Sequence, residues 1–138
     1  MLQKMIVYLI PFAMAISLYS MPAYAASVPE AKPDQGLVVF YRSKSAKGAA
    51  VRFQISESGG VSTGNLTNGS MFYKYYDPGQ KTFDVSTPSI AGSDLITLDI
   101  VAGETYFLRG KILWGWPAGR PSFSQEEEAK ALQDIGKL

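Results

Sequence analysis

Leu37-Val38-Val39-Phe40-Tyr41-Arg42 is an almost unbroken apolar run, preceded by Gly36 and followed by the small-residue loop Ser43–Ala50. Such a run suits a central strand covered on both faces. The segments downstream have the texture of its neighbours. Val51, Phe53 and Ile55 alternate with Arg52, Gln54 and Ser56, the period of a half-buried strand. Ser58-Gly59-Gly60 reads as a turn, because consecutive glycines accept positive φ without steric cost. Gly64–Thr67 and Ser70–Tyr76 flank Asn68-Gly69, which predicts a type I′ hairpin. Asp77-Pro78-Gly79-Gln80 has the type II pattern, with Pro and then Gly at the central positions.

Lys81–Thr87 follows with Phe83 and Val85 on one face, and Ile96, Leu98 and Ile100 line the next strand. After Ala102-Gly103, Tyr106, Leu108 and Ile112 alternate with Arg109 and Lys111 over Glu104–Leu113. Extended segments separated by turns roughly every 8–12 residues predict an all-β, antiparallel β-sandwich of about seven strands. The C-terminus changes period. Trp114–Ser122 reads as a loop, and Ser124-Gln125-Glu126-Glu127 reads as a capping box. Ala129, Leu132 and Ile135 give a narrow apolar stripe, so a short C-terminal α-helix of about three turns is expected to dock on the sandwich.

The N-terminus reads as an export signal over residues 1–25. Lys4 is the basic n-region, Met5–Ser20 the apolar stretch, and Ala23-Tyr24-Ala25 a small-x-small cleavage site. The apolar stretch contains Pro11 and is shorter than the roughly 20 residues of a spanning helix. A periplasmic or secreted product starting at Ala26 is expected, without stable membrane insertion. Residues 26–35 carry Pro29 and Pro33 and no hydrophobic period, the mark of an extended leader. The sandwich with its helix is assigned to 36–138.

Composition excludes more than it proposes. Thirteen Lys and Arg oppose 12 Asp and Glu, a formal charge of +1, and removal of Lys4 with the signal balances them. Without a basic cluster in the sequence, nucleic acid is not an expected partner. The absence of Cys and His removes disulfides, thiolate chemistry, the Ser-His-Asp arrangement and the commonest metal ligand. Asp84, Asp94, Asp99 and Glu104 lie on or beside strands without an apolar setting that would mark a glycosidase acid. No calcium loop occurs, and neither a cofactor nor a metal is expected. Lys44 and Lys47 read as a solvated loop.

Several of these segments together resemble an uncharacterised bacterial family, the domain of unknown function 2846. The resemblance rests on Gly36–Arg42, Gly64–Ser70, Asp77–Phe83 and Ala102–Phe107. It implies a small exported β-sandwich, often on lipoproteins in the wider family, although this chain has no Cys to acylate. The family implies no activity, substrate or catalytic residue.

Two aromatic concentrations are the candidate contact sites. Trp114 and Trp116 sit two residues apart with Arg120 nearby and glycines between. They could form a platform for a sugar ring or peptide, or plug an open end of the sandwich beneath the helix. In the strand Met71–Tyr76, alternation divides the aromatics between faces. Phe72 and Tyr76 are assigned to the surface and Met71, Tyr73 and Tyr75 to the core. The expected function is a non-enzymatic module that contacts another exported or envelope protein through its edge strands. The alternative is a small carbohydrate- or ligand-binding domain using the Trp114/Trp116 loop.

Overall fold

The computed structural model describes residues 28–115 and 119–138. The signal and its cleavage site lie outside the described residues. The apolar run is strand β1 (Gly36–Tyr41), buried along its whole length. It pairs antiparallel with β4 (Met71–Tyr76) on one side and parallel with β7 (Thr105–Leu113) on the other. β8 (Arg120–Glu126) completes this first sheet, ordered β4-β1-β7-β8. The second sheet is antiparallel, ordered β3-β2-β5-β6, from β2 (Phe53–Glu57), β3 (Val61–Leu66), β5 (Gly79–Ser86) and β6 (Ser93–Ile100). The fold is an all-β sandwich closed by one short helix, α1 (Glu128–Ile135).

Alternation along β1 explains its double burial. Val38 and Phe40 face the second sheet, where they join Phe53, Ile55, Phe83, Val85 and Leu98, with Leu108 of β7 beside them. Phe40 stacks on Phe72 at 4.8 Å and meets Phe83 edge-on at 5.2 Å. Leu37, Val39 and Tyr41 point outward and are covered, with Phe107, by Ala131 and Ile135 of α1. The inward phases predicted for Phe53, Ile55, Phe83, Val85, Leu98 and Ile100 match the observed burial.

The structure differs from the sequence expectation in six places, one of them the parallel β1/β7 pair within a sandwich expected to be antiparallel. The described residues form eight strands, since Arg120–Glu126 is β8 where the sequence predicts a loop and a capping box. Ser124 therefore lies in a strand, and its hydroxyl donates to Glu126 Oε1 at 2.9 Å. The helix starts after Glu127 without a side-chain cap, and its buried residues are Ala131 and Ile135, while Ala129 is exposed. Asn68-Gly69 does not close a hairpin. β3 and β4 belong to different sheets, and only Gly69 of the pair has positive φ, +69°.

The aromatic strand has the opposite phase from that expected. Tyr76 is 7% exposed inside the sandwich and Phe72 is half-buried against the same core, whereas Tyr73 is exposed. Phe40, Phe83 and Tyr76 fill the space between the sheets, which draws the even-numbered face of β4 inward. Finally, the described part of the leader is packed rather than free. Val28 and Ala31 lie against the outer cluster, and Glu30 O accepts the Tyr75 hydroxyl.

Candidate functional site

A mismatch of strand lengths in the first sheet creates the most distinctive concavity. β1 and β7 stay in register only as far as Tyr41 and Arg109, while β7 and β8 remain paired to Leu113 and Arg120. At Arg42 the chain leaves the sheet and crosses to β2. Among the described residues, the edge of β7 beyond Arg109 has no strand beside it. Between that edge and the loop after β1 lies a cleft of about 350 Å³. Five cationic side chains line it: Arg42, Lys44, Lys47, Arg109 and Lys111. None of its described lining residues is acidic. Trp114 stands at its rim, 46% exposed.

Each wall is fixed differently. The Arg42 guanidinium is 3% exposed, stacks over the Phe53 ring at 4.5 Å, and donates to the carbonyls of Val51 and Gly48. Those bonds hold the loop in its crossing path. Burial pushes the Arg42 pKa below its ordinary value. Gly48 has φ +75°, and a Cβ there would stand 2.7 Å from Ile112 Cδ1 and 3.1 Å from Trp114 Cζ2. Only glycine lets the loop pass so close to the indole. From the other side, a Cβ on Gly119 would stand 2.8 Å from Trp114 Cε3. The Lys47 ammonium lies 4.3 Å from the indole centroid, a cation–π contact.

Arg109 comes from β7. Its Nη1 is 4.0 Å from Asp134 Oδ2, an oxygen that already accepts from the Tyr41 hydroxyl at 2.8 Å and Lys130 Nζ at 3.1 Å. Two lining residues carry a buried polar atom with no partner among the described residues, Ser43 Oγ and Arg109 Nε. Buried donors are ordinarily satisfied.

The residues singled out from sequence do not form one site. Trp114 borders the cleft and its exposure rules out the role of a buried plug. Trp116 lies outside the described residues. Arg120 lines a separate cavity of about 130 Å³ with Ser93, Asp94 and Leu113. Phe72 and Tyr76 belong to the core, and the Tyr76 hydroxyl donates to Glu57 Oε1 at 2.9 Å. The cations around the cleft were the residues missed. Arg42, Lys44 and Lys47 occur within a six-residue stretch that contains no acid, and Arg109-Gly110-Lys111 repeats the theme. That was the available signal, but only the parallel β1/β7 pairing joins the two segments.

The acidic residues serve other ends. Asp94 Oδ2 accepts from Ser122 Oγ and Phe123 N, both at 2.9 Å, and so ties β6 to β8. Among the described residues no three His, Cys, Asp or Glu side chains converge to hold a metal. No family model matches the chain, and no curated protein matches it.

Proposed function

We propose that this chain is an exported, non-enzymatic binding module whose ligand site is the cationic cleft beside Trp114. The observation carrying this reading is charge segregation: five of 13 cations converge on one concavity, and no described lining residue is acidic. Charges arranged this way focus field and raise the local concentration of anions. The ligand-binding alternative expected from the Trp loop is thereby narrowed to an anionic ligand. A periplasmic or extracellular setting follows from the signal-like residues 1–25, and N-terminal sequencing of the exported product should begin at Ala26. The resemblance to the domain of unknown function 2846 agrees with a small exported sandwich and adds no activity.

A second reading has its own observation, the unpaired edge of β7 after Arg109. An extended acidic segment of another exported or envelope protein could add as a short strand along Gly110–Leu113. One amide-resolved NMR titration tests both. A panel of pyrophosphate, citrate, a sulfated disaccharide and an oligoglutamate peptide is added in turn. A cleft ligand shifts amides of 43–48 and 110–114, and strand addition also protects Gly110–Leu113 from exchange for the peptide alone. If no member of the panel moves these amides, the cleft is not a binding site.

A further inference from the structure

We propose that the cleft takes a compact phosphoryl polyanion about the size of pyrophosphate, free or as the headgroup of a lipid. The inference rests on the reading of the cleft as the ligand site and goes further by naming the chemistry. Its first support is Arg42. The buried guanidinium has no carboxylate within ion-pair distance among the described residues. Residues 1–27 and 116–118 contain no Asp or Glu, so they supply no acidic side chain either. A buried charge without a counter-charge is costly, and an arriving anion offsets that cost.

Donor geometry favours phosphate over carboxylate. Arginine grips carboxylate and phosphate alike through its parallel N–H fork, whereas lysine serves as a point-charge binder of phosphate. Here Nη1 and Nη2 of Arg42 are turned onto the Val51 and Gly48 carbonyls, and Nη1 of Arg109 faces Asp134. The donors left over are separate points: the ammoniums of Lys44, Lys47 and Lys111, the Ser43 hydroxyl and Arg109 Nε–H. Point donors spread around a cavity suit a tetrahedral oxyanion, which accepts from several directions.

Charge and volume agree. Asp134 partly balances Arg109, and the other four cations have no acidic side chain within ion-pair distance among the described residues. A space of about 350 Å³ suits a small molecule with its charges close together. Phosphoryl groups bring about −1.5 to −2 each at neutral pH in a small volume. The indole argues against a neutral sugar. Lys47 covers the ring and Gly48 and Gly119 press on it, so a sugar would have to displace the ammonium to stack. Trp114 instead holds that ammonium at the mouth.

Calorimetric titration of the protein, as recovered from the producing cell, with inorganic pyrophosphate provides the test. Citrate serves as a carboxylate of comparable charge and chitotetraose as a neutral sugar. Pyrophosphate should bind about tenfold or more tightly than citrate, and chitotetraose should give no heat. The double variant Lys44→Gln/Lys111→Gln should lose about tenfold or more in affinity while melting like the parent. Flotation with phosphatidylcholine vesicles, with and without phosphatidic acid, separates the sources. Flotation that needs phosphatidic acid and is reversed by pyrophosphate assigns a lipid headgroup; pyrophosphate binding without flotation assigns a free ligand. Citrate binding as tightly as pyrophosphate overturns the phosphoryl inference and leaves the cleft as an anion site. Absence of binding by either anion overturns both. Unchanged pyrophosphate affinity in the double variant also overturns the proposal, because the anion would then sit elsewhere.

Discussion

Arg42 joins architecture to site at the scale of a single residue. Its guanidinium bonds two carbonyls of the crossing loop and stacks on Phe53, so it shapes the cleft as well as charging it. Lysine cannot do the same, because one ammonium lacks the planar fork that reaches both carbonyls from a stacked position. Arg42→Lys should therefore cost about 1–3 kcal/mol, the penalty of a buried carbonyl left unpaired, seen as a lower urea midpoint with unchanged slope. A midpoint equal to the parent's would mean that the loop does not depend on this residue. Tyr41, its neighbour, sets a pH dependence. Burial raises the Asp134 carboxyl, but the bonds from Tyr41 and Lys130, aided by the charges of Lys130 and Arg109, outweigh it and hold it below the usual range. Burial and the same bond to Asp134 push the Tyr41 phenol well above its ordinary value. Asp134 thus adds stability above about pH 3.9 that is lost as pH falls through its lowered folded value. Tyr41 adds stability below about pH 10 that is lost as pH rises toward its raised one. Melting temperature should be flat between these limits and fall outside both. In Asp134→Asn the acid limb should become shallower, and an identical acid limb would show that this carboxyl is not linked to folding.

At the scale of elements, α1 does for β1 what a third layer would do, covering the outward row Leu37, Val39 and Tyr41. Which helix face does so is testable. Ala131 is fully buried and Ala129 exposed. Ala131→Asp should place an unpaired carboxylate against apolar side chains and lower the melting temperature sharply, whereas Ala129→Asp should change stability by no more than about 0.5 kcal/mol. Equal effects would return the apolar stripe to the register expected from Ala129, Leu132 and Ile135. That register was misjudged because Ser124 and Glu127 imitate a capping box, while β8 has little strand signature. Phe123 is its only large apolar residue, and Pro121 stands near its start, where an edge strand tolerates proline. The β3-to-β4 connection departs from its local signal for another reason. Asn68-Gly69 specifies a local reversal, and local turn chemistry does not say which sheet receives the next strand. By contrast, the double burial of β1 and the inward faces of β2, β5 and β6 were legible, because one-sided or two-sided burial leaves its period in the chain. On β4 both faces carry large aromatics, so alternation could not decide which turned inward.

At the scale of the whole molecule, the charges are nearly balanced in number and unbalanced in space. The formal charge is +1 and disappears without Lys4, which is why composition gave no hint of an anion site. Yet the end of the sandwich where β1 stops gathers Arg42, Lys44, Lys47 and Lys111. The end where it starts holds Asp77, bonded by Gln35, and Glu104, bonded by Tyr106. The strand pairing that builds this polarity is parallel and joins segments more than 60 residues apart, so it could not be read from either segment alone. Screening in 0.1 M salt acts over about 10 Å, a distance long enough for the clustered cations to act together and shorter than the length of the sandwich strands. The molecule should consequently behave at low salt as a cation on a sulfonate column at pH 7, despite its near-neutral total. Retention should vanish only as added salt brings the Debye length below the spacing of the cations within the cluster. Lys44→Gln/Lys111→Gln should elute markedly earlier, whereas Lys130→Gln, which removes one charge away from the cleft and already paired to Asp134, should elute close to the parent. If Lys130→Gln shifts about half as far as the double variant, total charge rather than its placement governs the surface, and the cleft does not present a concentrated field to an approaching anion.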